Sequence, residues 1–428
     1  MARTSATLYG RTYPGRVSRP VRVVAASAAG VPALTEALAA ALDGTGPAVL
    51  PVEAPESQAT GGVGVTGGAG EDTAAAVPVP DDVALLVRTS GSTGAPREVM
   101  LTAGALRASA EATHRRLSGP GRWLLPLPPS HVAGLQVLVR SLVAGTTPAV
   151  LGPPFRVDAF AAAVARMPDG DGPRYTSLVP TQVHRLLASD EGRAALAAFD
   201  AVLLGGAAAP PGLVDAARAA GARVVTTYGM SETCGGCVYD GVPLDGVTVD
   251  LDVDGRILVA GPVLAAGYRG RPDLDAELFE VVDGTRRLRT SDVGRWSDGT
   301  GERRLEVLGR ADDVLVTGGV KVPPAAVERV LAQRPGVGEV LVVGVPDPEW
   351  GQALVAVVVP PPGAPGPEFD DLRHAAAEAL GGPAAPRHLV TLAALPLRGP
   401  GKPDRRAATD LAARALGRPA VADAPPGA

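Results

Sequence analysis

The nine residues Thr89-Ser-Gly-Ser-Thr-Gly-Ala-Pro-Arg97 are the stretch of this 428-residue chain best equipped to hold an anion. Gly91 and Gly94 let backbone N–H groups approach closely, and the hydroxyls of Thr89, Ser90, Ser92 and Thr93 add donors. That density of donors suits a polyphosphate. The loop lacks the G-x-x-x-x-G-K-[ST] spacing of a Walker A loop, and taken alone it also makes an ordinary surface turn. Elsewhere, Tyr228 offers a ring that can stack on a planar base, Glu232 a carboxylate for a metal ion, and Asp292 an acceptor for a ribose diol. Arg140 sits inside the apolar run Leu135-Gln-Val-Leu-Val-Arg-Ser-Leu-Val143. A buried arginine needs a partner: a carboxylate of the chain itself, or a substrate carboxylate gripped bidentately.

Of 40 basic residues, only Lys321 and Lys402 are lysine. A chain that uses arginine wherever arginine serves hints, by keeping a lysine, at a place that wants a compact ammonium. Cys234-Gly-Gly-Cys237 supplies two ligands where a structural zinc needs four, and the five histidines are scattered. Lining a pocket is therefore favoured over metal or redox use.

The elements that must position these groups alternate. Val21–Ala25, Ala33–Leu42 and Ala48–Val52 read as strand, helix, strand, which suggests an α/β layer fold. The apolar run Val83–Val87 leads into the glycine loop as a strand, and Thr102 caps a helix expected to reach Leu117. Arg122–Leu127 reads as a buried strand, and the Arg140 segment is helical from Leu135. Val202–Ala209 and Arg223–Thr233 are strands ending in small residues, so a ligand crevice is expected at their C-terminal ends. Asp292 is expected among turn residues. Beyond Arg256 the pattern turns β-rich, with helices at Pro324–Gln333, Phe369–Leu380 and Arg405–Leu416. Residues 56–80 read as a mobile surface loop and 418–428 as a disordered tail.

Composition narrows the field. A 46% hydrophobic content marks a globular chain, and a net charge of −5 gives no footprint for nucleic acid or an anionic membrane. No apolar run reaches the roughly 18 residues of a membrane span, arginines interrupt any leader-like start, and two cysteines make no disulfide scaffold. A cytoplasmic site fits. No G-x-G-x-x-G follows a strand near the start, against a Rossmann dehydrogenase. Whether the chain acts alone or as a homo-oligomer is left open by the sequence.

Five segments in order carry a resemblance: Thr89–Arg97, Tyr228-Gly-Met-Ser-Glu-Thr233, Thr290-Ser-Asp292, Gly309-Arg-Ala-Asp312 with Thr317-Gly-Gly319, and Pro400-Gly-Lys402. Together they resemble the adenylate-forming (ANL) superfamily of acyl-CoA synthetases, adenylation domains and luciferases. Within it, the short N-terminal region, His131-Val-Ala-Gly…Arg140 and the stretch Tyr228–Leu244 resemble the o-succinylbenzoate–CoA ligase group of menaquinone biosynthesis. Alternatives are another aryl- or acyl-CoA synthetase, a stand-alone adenylation domain, or a silent nucleotide-binding remnant.

The resemblance implies an ANL fold with a shortened N-terminus. A large layered α/β AMP-binding domain would span 1–310, and a smaller mobile α+β domain, 311–428, would carry Lys402. It implies ATP and CoA as co-substrates with Mg²⁺, and a carboxylate converted to a thioester through an acyl-adenylate. Thr89, Ser90, Gly91, Ser92, Thr93, Gly94 and Arg97 would cradle phosphates, with Arg97 where the family usually has lysine. Gly205, Gly206, Ala207, Tyr228 and Gly229 would enclose adenine. Glu232 would hold Mg²⁺, Asp292 the ribose with help from Arg310, and Lys402 would be the principal catalytic cation. His131, at the pocket mouth, and Arg140 would meet the substrate, Arg140 through its succinyl carboxylate. Asp312 would be the hinge. Val320 stands where the family usually has glutamate, and Lys321 is expected on the surface.

Overall fold

The computed structural model describes residues 5–8, 11–14, 19–53, 78–90, 96–168, 170–209, 211–297, 303–361, 363–398 and 402–418. The expected loop at 56–80, most of the glycine loop and the expected tail therefore lie largely outside the described residues. Two compact units result: Met1–Asp250 with Leu258–Arg289 and Asp298–Arg304, and Leu251–Ile257 with Thr290–Ser297 and Leu305–Ala428.

The first unit opens with a hairpin, β1 (Ser5–Leu8) and β2 (Arg11–Pro14). A five-stranded sheet follows, begun by β3 (Val21–Ala25), α1 (Val31–Leu42), β4 (Ala48–Val52), β5 (Val83–Ser90) and β6 (Pro96–Thr102). β3, β4 and β5 run parallel, and β6 returns antiparallel to β5. Thr102 caps α2 (Ala103–Arg116), its hydroxyl accepting from Ala105 N at 3.0 Å, as the sequence predicts.

A second sheet takes β7 (Arg122–Leu125), α3 (Val132–Ala144), β8 (Ala149–Val150), α4 (Val157–Ala165), β9 (Arg174–Leu178), α5 (Pro180–Leu187), α6 (Asp190–Ala197), β10 (Ala201–Leu204), α7 (Pro211–Ala219) and β11 (Val224–Met230). Its spatial order is β13-β12-β11-β10-β9-β7-β8, with β12 (Gly235–Tyr239) and β13 (Val242–Pro243) antiparallel and the rest parallel. Short apolar strands alternating with helices build this arrangement, because parallel neighbours need a crossover. Leu124, Leu178, Val202 and Leu204 pack there against Phe160, Leu186 and Leu196. Each such side chain contributes on the order of 1.5–3 kcal/mol when buried.

Then come β14 (Thr248–Leu251), β15 (Arg256–Ala260), β16 (Gly267–Tyr268), α8 (Pro272–Leu278), β17 (Phe279–Val282), β18 (Thr285–Ser297) and β19 (Arg304–Arg310). β16 pairs with β6 and completes the first sheet. Asp292 lies inside the 13-residue β18, not among turn residues. The Thr-Ser-Asp polar run there is absorbed by the ladder and by Thr290, whose Oγ1 donates to Ile257 O at 2.9 Å.

The second unit is built on β20 (Leu315–Thr317), β21 (Val320–Val322), α9 (Pro324–Leu331), β22 (Glu339–Asp347), β23 (Gly351–Val359), α10 (Phe369–Leu380) and β24 (His388–Thr391). β22 and β23 form a nine-pair hairpin from Glu339↔Val359 to Asp347↔Gly351. Their alternation places Leu341, Val343 and Val345 on one face and Val342 on the other. α9 and α10 cover one face through Val327, Leu331, Leu372 and Ala376. β25 (Leu397–Arg398), β26 (Lys402–Pro403) and α11 (Arg405–Ala415) close the unit, α11 packing Ala408, Ala412 and Ala413 onto the opposite face. Both faces being covered explains the unbroken apolar run Ala353–Val358.

Candidate active site

The strands on either side of the glycine loop, β5 and β6, pair antiparallel. Thr89 pairs with Arg97 and Ser90 with Pro96, while Gly91, Ser92, Thr93 and Gly94 lie outside the described residues. Arg97 is half-buried, and its Nε has no hydrogen-bond partner among the described residues. One residue on, Glu98 is held by Arg88 at 3.1 Å and by Arg269 at 3.0 Å.

β16 brings Tyr268 across from Val99. Its phenol donates to Glu232 Oε1 at 2.6 Å. Burial, and then the Glu232 charge, push the Tyr268 pKa far above its ordinary value, while Arg97 pulls it back. Tyr268 therefore stays a donor at any working pH and orients the carboxylate. Glu232 itself stands in the short 3₁₀ turn Ser231–Thr233 that ends β11. Thr233 ties that turn down, accepting from Met230 N at 2.9 Å and donating to Gly235 O at 2.7 Å. Among the described residues no three His, Cys, Asp or Glu cluster as a metal site. A single carboxylate still fits Mg²⁺, which is bound through one or two carboxylates with substrate phosphates completing the shell.

Gly205 and Gly206 follow β10, and Tyr228 and Gly229 lie on β11, all near the C-terminal ends of parallel strands. Sterics explain two of these glycines. A Cβ on Gly205 would stand 2.3 Å from Thr227 Oγ1, and one on Gly229 only 2.0 Å from Gly235 O. Ala207 follows in the same turn, and Tyr228 is half-buried beside a register shift in the β11–β12 pairing.

On α3, His131 holds the N-cap position, and its Nε2 lies 3.6 Å from Glu53 Oε1. Arg140 is 3% exposed. Its Nη2 donates to Tyr239 OH at 3.2 Å, and its guanidinium lies over Trp123 at 5.1 Å. No carboxylate pairs with it among the described residues. Burial lowers its pKa, offset only by Tyr239. The carboxylate partner that the chain might have supplied is thus absent there. His114 on α2 is buried nearby; burial first and the Arg140 charge second lower its pKa to about 4, so it adds no charge at neutral pH. Cys234 and Cys237 are buried thiols, pushed up by burial, Cys237 to about 12.

In the second unit, Arg310 and Asp312 form a two-pronged pair, Nε to Oδ1 at 2.9 Å and Nη2 to Oδ2 at 2.5 Å. The charges of Asp312, Asp292 and Asp313 help hold the Arg310 pKa up, so Asp292, Arg310 and Asp312 sit together. Ala311 N donates to Ser291 O at 2.8 Å and joins the two segments. Lys402 pairs with Arg398 in the β25–β26 hairpin. Three residues on, Arg405 donates to Glu328 Oε1 at 2.6 Å and to Val342 O at 2.7 Å. Lys321 is exposed, as the sequence predicts. Tyr268, His114 and Trp123 were not legible as neighbours of Glu232 and Arg140, because strand pairing and helix packing bring them there from distant segments.

Residues 16–269 match the family model for the AMP-binding enzyme, and residues 326–402 that for the AMP-binding enzyme C-terminal domain. The chain belongs to this family of adenylate-forming enzymes. It is 46% identical over 393 residues to a probable 2-succinylbenzoate–CoA ligase of Mycobacterium tuberculosis, spanning 91% of this chain and 97% of that relative. It resembles the o-succinylbenzoate CoA synthetase (MenE) of Bacillus subtilis in complex with the acyl-adenylate intermediate OSB-AMP: TM-score 0.66, 28% identity, 88% of this chain and 81% of that one. The same synthetase in complex with ATP and magnesium ion matches at TM-score 0.63 and 26% identity, over 87% and 81% of the two chains. Among the described residues, no helix is long and apolar enough to cross a membrane.

Proposed function

We propose that this chain is an AMP-forming acid–thiol ligase that joins 2-succinylbenzoate to CoA in menaquinone biosynthesis. A carboxylate oxygen of the substrate attacks the α-phosphorus of ATP, and pyrophosphate leaves. The CoA thiol then attacks the acyl carbon, and AMP leaves with the bonding pair. Mg²⁺, when bound, offsets charge on phosphate oxygens; Glu232, oriented by Tyr268, is the residue that would hold it.

The chain's other groups divide the work. Thr89, Ser90 and Arg97 bind the phosphate end, together with Gly91, Ser92, Thr93 and Gly94. Gly205, Gly206, Ala207, Tyr228 and Gly229 enclose the adenine. Asp292 accepts from the ribose hydroxyls, and Arg310 lies beside it. Lys402 supplies the ammonium that meets charge gathering on non-bridging oxygens at the α-phosphorus. His131 stands at the pocket mouth. The mobile domain of this reading is 311–428, narrower than the second compact unit, which also takes in 251–257, 290–297 and 305–310; Asp312 is the hinge about which Lys402 swings away before thioester formation. The reaction is assigned to the cytoplasm.

The observation that carries the substrate is Arg140. A buried cation with no carboxylate partner among the described residues is costly, and a substrate with a second carboxylate supplies the missing charge. ATP–pyrophosphate exchange across aromatic and aliphatic acids tests this. 2-Succinylbenzoate should drive exchange well above any monocarboxylate, and equal exchange with monocarboxylates would overturn the assignment.

A further inference from the structure

α3 carries a polar file in an apolar helix. Gln136 and Arg140 stand four residues apart, the spacing that stacks side chains on one helix face. They are 1% and 3% exposed. Gly235 and Tyr239 mark the two ends of β12, the strand packed beside this helix. A Cβ on Gly235 would stand 3.4 Å from Gln136 Cγ, and Arg140 Nη2 reaches Tyr239 OH. The helix file therefore runs along β12, Gln136 at its start and Arg140 at its end.

Neither amide atom of Gln136 finds a partner among the described residues, and neither does Arg140 Nε. Buried polar groups are nearly always satisfied, so a neighbouring pair left open is a site for an acceptor. An amide N–H and a guanidinium N–H one helical turn apart on the same face present two donors, which matches the two oxygens of one carboxylate. The amide is also neutral. A glutamate at this position would neutralise Arg140 from within and leave a second carboxylate nothing to bind.

Building on the dicarboxylate reading above, we infer that Gln136 is a second specificity-determining residue: its Nε2 donates to the same non-reacting carboxylate that Arg140 holds.

The test is thioester formation by Gln136→Leu and Gln136→Glu. Substrates are 2-succinylbenzoate and its two one-carboxylate analogues, 4-oxo-4-phenylbutanoate and 2-butyrylbenzoate. A hydrogen bond to a charged group corresponds to about 10- to 100-fold in binding. Gln136→Leu should raise KM for 2-succinylbenzoate by that factor. Its kcat, and the KM of whichever analogue is turned over, should hold within about threefold. Gln136→Glu should abolish the preference for the dicarboxylate while unfolding at no lower temperature than the wild type. An equal KM change for all substrates, or a Gln136→Glu enzyme that keeps its preference, overturns the inference. A wild type with no dicarboxylate preference overturns the functional reading itself; a wild-type preference retained by both variants overturns only the role of Gln136.

Discussion

Arg140 and Arg405 are both cations set into the body of the fold, and they are treated in opposite ways. Arg405, at the start of α11, is met by Glu328, by Asp313 at 3.6 Å and by the Val342 carbonyl. Burial would lower its pKa, and the carboxylates more than reverse that. Arg140 has a tyrosine hydroxyl, a tryptophan face and an Nε with no partner among the described residues, and its pKa falls. Arg19 is a third case, 7% exposed and satisfied by carbonyls: Nε by Gly46 at 2.8 Å, Nη1 by Val83 at 2.9 Å and Nη2 by Ala41 at 2.8 Å. An arginine that holds a fold together is saturated by the chain. One that reads a substrate keeps donors open, at a cost in stability that the ligand offsets.

The largest effect should come from the hairpin that precedes Arg405. Lys402→Ala should lower ATP–pyrophosphate exchange by about 10²–10³-fold or more, the usual loss on removing a group that stabilises transition-state charge. Thioester formation from preformed acyl-adenylate should survive, and undiminished exchange would refute the role.

Arg405→Met comes next. It takes the cation from Glu328, which among the described residues keeps only the Val342 N–H at 2.8 Å, and from Asp313, and removing one partner of a buried pair costs about 3–5 kcal/mol. With the Arg405 side chain 29% exposed, about 2–4 kcal/mol in denaturant unfolding is expected. No loss would mean that the contrast with Arg140 is only geometric.

The smallest effect is a pH dependence beside Arg140. His114 has a folded pKa of about 4 against an ordinary 6.5. Its neutral form is the one the fold accepts, so its contribution to stability is intact above about pH 6.5. It is lost as pH falls towards about 4, because the unfolded chain takes the proton first. His114→Gln should remove a one-proton slope from unfolding free energy in that window, and an unchanged slope would show that Arg140 and burial do not hold the imidazole neutral.

How much of this could be read in advance depends on range in the chain. The α10 helix was legible to its bounds, Phe369–Leu380, and Thr102 as a cap, because periodicity and capping are local. Arg140 was legible because a charge interrupts an apolar period. Gln136 interrupts the same period four residues earlier and is harder to see in the sequence, since an amide disturbs a hydropathy pattern less than a charge does. The local composition around Asp292 suggested a turn, and the pairing of distant strands overrode it. The Tyr268–Glu232 bond joins residues 36 apart, and only sheet order brings them together.

The central claim is that Arg140 is left open for a substrate carboxylate. The direct measurement compares Arg140→Met with the wild type in KM for 2-succinylbenzoate against a one-carboxylate analogue, alongside thermal unfolding. Losing one side of a buried charge pair changes binding by about 2–5 kcal/mol. The account predicts a KM rise of at least about 30-fold for the dicarboxylate alone, in a protein that melts no lower than the wild type. A KM rise shared by both substrates, in a protein that melts well below it, would contradict the account and make Arg140 one more arginine of the Arg19 kind.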